Sequence, residues 1–236
     1  MPAARPRPRA SARPRTPVRV TGTLDQTIYD ALFDAVMQGR LKPGARLAEA
    51  TLCEQFDVSR TVVRQALRRL AEAQIVEIVP NKGATVAAPT PQETRDVFVA
   101  RRAIEAAIVR QVAQRITHGD IERLQRRLQA EHVALHDGDH GRWVALAGGF
   151  HLALAQLSGN AVLQRMLTEL MTRCSLIVAL YEAPGDSSCE HDEHLRLVEL
   201  LALRDAEAAV TLMDAHLVAL EQRLTLPATP AATASL

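Results

Sequence analysis

The sequence predicts a mainly α-helical protein in two units: a small N-terminal module of three helices closed by a β-hairpin, and a C-terminal antiparallel all-helical bundle. Three observations lead there. Ala and Leu abound while aromatic residues are only 3% of the chain, a balance that favours helices, where Ala and Leu lose little entropy. Apolar residues recur at helical spacing along most of the length. Strand-like runs bounded by turn residues are confined to 75–79 and 84–86. At 236 residues and 47% apolar, the chain has room for one small and one ordinary domain, each with a real core.

The first helix is expected over 24–38, where Ile28, Ala31, Leu32, Ala35 and Val36 form one apolar stripe. Gly39, Pro43 and Gly44 end it and build a turn. A second, short helix comes next over 48–56, with Leu47, Leu52 and Phe56 facing inward. Asp57-Val58 makes a tight link to Ser59, which stands where a side-chain N-cap belongs. In the third helix, 60–72, Val63, Ala66, Leu67 and Leu70 share one face, while Arg60, Thr61, Arg64, Gln65 and Arg68 share the other. With Arg69 the stretch carries four guanidiniums and no acid before Glu72.

Such a face suits a DNA major groove: Arg pairs bidentately with guanine, Gln with adenine, and Thr reaches a phosphate or the thymine methyl. Taken alone it reads more readily as an ordinary solvated basic face. The segment beyond the helix adds weight to the first reading. Residues 75–79 read as a strand, Pro80-Asn81-Lys82-Gly83 as a turn and 84–86 as the return strand, which together make a wing. Lys82 at its tip can meet a phosphate or the minor groove, and Gly83 permits close backbone approach.

Charge divides along the same line. Residues 1–20 hold six Arg and no acid and read as a disordered basic arm, with a phosphate-binding tail and, less well suited because of its prolines, a transit peptide as alternatives. Residues 21–88 balance eight basic against eight acidic side chains. The remainder, 89–236, has 14 basic and 19 acidic ones, a net −5. One end of the molecule therefore suits nucleic acid and the other does not. Three scattered cysteines give no disulfide framework, and no apolar run is long enough for a bilayer, so a cytoplasmic protein is expected.

Beyond a linker at 89–91, helices are expected over 92–116, 119–136, 141–157, 161–181, 190–203 and 206–224, the last N-capped by Asp205, with a disordered tail at 227–236. A bundle of this kind can hold a small ligand between its helices. His151, His194 and His216 lie on three different helices and are candidates for a divalent-metal site; three unrelated histidines are the alternative. His191 is near enough to substitute as a ligand. His118, His132, His136 and His140 are expected at the surface, and Tyr181 and Cys174 line the presumed cavity or simply fill the core.

The run Leu41-Lys42-Pro43-Gly44-Ala45-Arg46-Leu47, then Glu49, then 58–70 from Val58-Ser59-Arg60-Thr61 to Leu70, then Pro80-Asn81-Lys82-Gly83 resembles the GntR family of bacterial regulators. The resemblance implies that Arg60, Thr61 and Arg64 contact operator DNA and that Gly83 lies near the minor groove. Gln65, Arg68, Lys82 and Arg46 complete the expected DNA contacts. Val62, Gln65 and Ala50 depart from the residues usual in the family, which bears on the operator sequence rather than on DNA binding.

The C-terminal pattern, Arg101-Arg102-Ala103-Ile104-Glu105, Phe150-His151, Ser158-Gly159-Asn160, His194, Asp205 and Asp214-Ala215-His216, is similar to the FadR-type (FCD) branch of that family. The branch implies that His151, His194 and His216 hold a metal such as zinc or nickel, with an aspartate four residues before the first histidine. Here that position is Ala147. The metal and an arginine would bind the carboxylate of an organic-acid effector. Arg101 is the expected partner, or else an ion pair to Glu105; Asn160 is an effector contact or a helix cap. The family further implies a homodimer on a palindromic operator, with recognition helices about one DNA turn apart. A metal-dependent enzyme lacks an evident carboxylate beside the histidines, and an architectural DNA-binding protein without effector is the remaining alternative.

Overall fold

The computed structural model describes residues 23–80, 82–182 and 188–226. The expected basic arm and C-terminal tail, and Asn81 of the hairpin turn, lie outside the described residues.

The N-terminal head consists of α1 (Leu24–Met37), β1 (Arg46–Leu47), α2 (Glu49–Phe56), α3 (Arg60–Glu72), β2 (Val76–Val79) and β3 (Gly83–Val86). The apolar stripes meet as their periodicity requires: Ile28, Leu32 and Val36 of α1 close with Leu52 of α2 over Val63, Ala66, Leu67 and Leu70 of α3. Ile75, Val76, Ala84 and Val86 seal the same core from the sheet side. Asp57 takes a left-handed conformation (φ 53°) at the end of α2 and turns the chain into α3.

Two details differ from the sequence reading, and two add to it. The wing has a third strand: β1 pairs antiparallel with β3, Arg46 opposite Thr85 and Leu47 opposite Ala84, giving the order β1-β3-β2. A two-residue strand has too little alternation to be read from sequence. Ser59 has the extended backbone of an N-cap, but its hydroxyl makes no capping bond; its carbonyl accepts the Val62 and Val63 amides instead. Arg69 does not join the free cationic face. It donates to Asp25 (3.0 Å) and Gln26 (2.6 Å) and lies over the Tyr29 ring, tying α3 to α1. The linker is not slack: Tyr181 donates its hydroxyl to the Pro89 carbonyl at 3.1 Å, Thr90 N-caps the next helix through a capping box with Glu93, and Pro91 opens that helix.

The body comprises α4 (Pro91–Arg115), α5 (His118–His136), α6 (His140–Ser158), α7 (Ala161–Tyr181), α8 (Ser188–Ala202) and α9 (Ala206–Arg223). Their boundaries reflect local chemistry. Thr117 with Asp120, Asp139, Asn160 and Asp205 each accept the orphan amides of the helix they precede. Arg204 donates to the carbonyls of Gln114 and Ile116, both at 2.7 Å, and so closes the C-terminus of α4. The body adds one isolated bridge, Glu182 to Leu224, to the all-helical expectation. Helix α4 runs through the centre, packing on α6, α7 and α9.

Helix α7 belongs to both units. Leu176 is part of the head core and Leu180 packs against it, while Met171, Cys174 and Ile177 are buried in the body. Head and body therefore share a structural element.

Candidate functional site

Arg60, Thr61, Arg64, Gln65 and Arg68 are all exposed along one side of α3, and its aliphatic side is fully buried. Arg46 is exposed on the adjoining sheet and Lys82 in the turn before β3. The guanidiniums do not turn inward or pair with the acidic body. Arg64 is 55% exposed and its one ion pair, 2.8 Å to Glu49, is within the head. Gly83 is buried, with φ +97°, and a Cβ there would stand 2.1 Å from the Leu47 carbonyl oxygen. The close approach it permits is that of β3 to β1, which fixes the wing beside α3.

The three histidines converge. His151 of α6, His194 of α8 and His216 of α9 are 2%, 1% and 2% exposed, and one ring nitrogen from each lies within 4.8 Å of the others. Each Nδ1 faces a carboxylate: His151 meets Glu105 at 2.5 Å, His194 meets Glu131 at 3.0 Å, and His216 meets Glu193 at 2.7 Å. A carboxylate at Nδ1 holds the proton there and leaves Nε2 as a lone-pair donor. The Nε2 atoms of His194 and His216 are buried without a hydrogen-bond partner.

Electrostatics agree with neutral imidazoles at His151 and His194. Burial is the main cause that pushes His151 down to about 3, with Arg101 adding to it against the pull of Glu105. Burial likewise holds His194 well below the usual histidine range, helped by His216 and Arg101. Burial works to raise the Glu105 carboxyl, but His151 and Arg101 outweigh it and hold it at about 2. Since His151 is itself neutral, the Arg101 guanidinium is the charge that sustains Glu105. Burial pushes Glu131 up to about 7 against the opposing effect of His191 and His216.

Two orphaned buried nitrogens are costly unless something accepts their lone pairs. A divalent cation does so, and three neutral imidazoles with carboxylates behind them are the donor set zinc takes. The residues present fit such an ion. Ala147, one turn before His151, is buried and brings no fourth ligand. It lines, with Arg101, His151, Gly148, Met171 and Cys174, a cavity of about 30 Å³, room for roughly one water.

Arg101 stands in that cavity wall, donating through Nε to Glu105 at 2.5 Å and through Nη1 toward the Cys174 sulfur at 3.0 Å. Of the two roles expected for Arg101, effector contact and the i+4 ion pair, the ion pair to Glu105 is the one present here. Cys174 lines the cavity; Tyr181 does not, and serves the linker instead. Asn160 caps α7 by accepting the Val162 and Leu163 amides, the second of the two expected roles. His118, His132 and His136 are exposed as expected; the His140 side chain lies outside the described residues.

Sequence reasoning missed the three carboxylates and expected none beside the histidines. They come from three helices, α4, α5 and α8, and the one visible signal, Glu105 four residues after Arg101, pointed to a local ion pair.

A wing-bearing three-helix head on a helical body with a buried histidine centre defines a DNA-binding transcriptional regulator. Residues 24–86 match the family of bacterial regulatory proteins of gntR type, and residues 96–219 match the FCD domain. The chain belongs to the GntR family, in its FCD-bearing branch. It is 26% identical to the HTH-type transcriptional repressor RspR of Escherichia coli K12 over 86% of this chain and 89% of that one. It is 31% identical to the regulator McbR of the same organism over 70% of this chain and 76% of the other. Among solved structures, a GntR transcriptional regulator from Rhodococcus sp. RHA1 superposes with a TM-score of 0.72 at 25% identity, covering 84% of this chain and 95% of that one. These relatives are transcriptional regulators, not enzymes. No helix among the described residues is long and apolar enough to cross a membrane.

Proposed function

We propose that this protein is a ligand-responsive regulator that binds a palindromic operator as a homodimer. Its helical body holds a divalent metal, and a small organic acid bound there changes operator affinity. The exposed side of α3 carries the reading: three arginines with Thr61 and Gln65, standing on a buried aliphatic face. Arg60, Thr61, Arg64, Gln65 and Arg68 face the major groove, while Lys82 at the wing tip and Arg46 of β1 meet the flanking backbone or minor groove; Gly83, expected near the minor groove, is buried against β1 and shapes the wing instead.

His151, His194 and His216 hold the metal, which supplies a Lewis-acidic position for a carboxylate oxygen. Arg101, a planar fork beside it, binds the acid's second oxygen. The cavity is too small for more than a water as it stands, so an acid enters only with movement of Arg101 or of α7. That supports a switch. Met171, Cys174 and Ser175 of α7 line the cavity, and Leu176 of the same helix is in the head core. Displacing α7 shifts one head relative to its partner and with it the spacing of the two reading helices.

A duplex selected from a random pool by the protein, then used in fluorescence anisotropy with and without zinc and a series of small acids, tests the reading. A selected palindrome bound at dimer stoichiometry, with affinity altered by at least one acid, is the expected result. Selection of no sequence, or a monomer on a single half-site, overturns it. The near-filled cavity favours one second reading, a body that serves only to dimerise the heads; operator affinity indifferent to metal and to every acid would establish it.

A further inference from the structure

Beside the histidine centre, two more histidines stand near Glu131. His191 is buried (8% exposed), and its Nδ1 has no hydrogen-bond partner. That nitrogen lies 3.7 Å from Glu131 Oε1, too far for a hydrogen bond. Two donors bound tetrahedrally to one zinc ion at about 2.0–2.2 Å each stand about 3.3–3.6 Å apart, so a movement of about 0.1 Å or more brings the pair to the separation of two ligands sharing a cation. The exposed ring of His132, next to Glu131 on α5, lies with its centroid 5.2 Å from that of His191. Its side chain has the rotamer freedom to close on an ion.

The neighbouring connections all run inward. His191 and His194 are three residues apart on α8, hence on one face of the helix. Glu131 faces both, at 3.7 Å and 3.0 Å. The three ligands of the inner centre are almost wholly buried, so a cation reaching them has to be stripped of water on the way. A surface histidine, a buried unpartnered histidine and a carboxylate shared with the inner site form a graded series from solvent to His194.

We propose that His132, His191 and Glu131 form an outer capture site for a divalent cation, from which the inner trio is loaded. This rests on the metal reading of His151, His194 and His216. The outer site has one exposed imidazole, and its carboxylate is shared with His194; it therefore binds more weakly and releases the ion inward.

Cobalt(II) is the probe, because its visible absorption reports filling of a nitrogen-rich inner site. Metal-free full-length protein is mixed with limiting cobalt in a stopped-flow instrument, and equilibrium affinity is measured separately against a competing chelator. His132→Ala, an exposed substitution that leaves the core intact, should slow loading about tenfold. That is the lower end of what a raised local cation concentration contributes to an on-rate. Final absorbance and equilibrium affinity should stay within about twofold of wild type. His191→Gln should slow loading at least as much, its fold checked by circular dichroism. Unchanged loading in His132→Ala overturns the capture site while leaving the inner centre standing. A loss of affinity equal to the loss of rate also overturns it, because the histidine would then be a ligand of the final site. Wild-type protein that takes up no cobalt removes the inner centre itself, and the outer one with it.

Discussion

Glu49 accepts the Nε–H of Arg64 at 2.8 Å, so the first turn of α2 aims a guanidinium of the reading helix. Bound through Nε, the side chain leaves the edge formed by its two terminal amino groups to engage a guanine. Glu49 also sits, with Arg64, Arg68 and Pro80, in the groove between α3 and the wing, where its negative charge opposes a misplaced phosphate. Arg64→Ala should weaken operator binding by about 1–3 kcal/mol, roughly 5- to 150-fold, with little effect on random duplex. Glu49→Ala should act differently, lowering the ratio of operator to random affinity while tightening random binding, since an acid has left the interface. Anisotropy titrations on both duplexes at several salt concentrations separate the two. An unchanged ratio in Glu49→Ala would mean that the ion pair plays no part in selection.

The reading helix was legible because two incompatible patterns occupy one segment: aliphatic residues at 63, 66, 67 and 70, and cationic or polar ones between them. Burial then leaves a single orientation open. The histidine trio was legible only as three residues on three helices, for nothing in their spacing fixes how those helices rotate. The partners of the trio were hidden for the same reason. Glu193 adjoins His194 in sequence yet serves His216, and Glu131 reaches His194 from 63 positions away. Arg69 adjoins the cationic face in sequence, and its role was not legible because Asp25, Gln26 and Tyr29, which hold it, come from α1.

Gly83 sets the wing's position through sterics alone. An added methyl would meet the Leu47 carbonyl at 2.1 Å, on a backbone already at φ +97°. Gly83→Ala should therefore force β3 off β1. The left-handed strain alone costs about 1–3 kcal/mol, and the clash adds to it. The expected outcome is a lower melting temperature and operator binding weakened together with random binding, because the whole wing moves. Melting and anisotropy on the same sample check this. A variant of wild-type stability would show that the two strands are free to part.

Tyr181 ties the junction of head and body through its bond to the Pro89 carbonyl. Tyr181→Phe removes one buried hydrogen bond and leaves the ring, at a cost of about 1 kcal/mol. The local consequence should exceed the global one. Amide exchange over residues 87–91 should accelerate while that of α3 and α4 stays as in wild type. With the junction loosened, the free energy linking metal or effector to operator affinity should shrink. Hydrogen exchange read by mass spectrometry, with operator titrations in zinc and in chelator, tests both parts. Unaltered exchange at the junction would remove the hydroxyl from any role there.

Ala147 is the position from which an anionic ligand would reach the histidine centre, one turn before His151 and on the wall of the small cavity. Ala147→Asp puts a carboxylate into a pocket whose only adjoining guanidinium among the described residues, that of Arg101, is already held by Glu105. Without a cation the new charge is buried and poorly paired, and the variant should lose about 3–5 kcal/mol of stability. With zinc the same oxygen completes a fourth coordination bond. Metal affinity should rise at least about tenfold, or about 1.4 kcal/mol, equal to about 2–4 °C of additional metal-induced shift for each kcal/mol in a chain of this size. Melting curves in chelator and in zinc should thus diverge further for the variant than for wild type, lower in the first and more strongly raised in the second. Equal shifts in the two proteins would mean that position 147 does not face the ion.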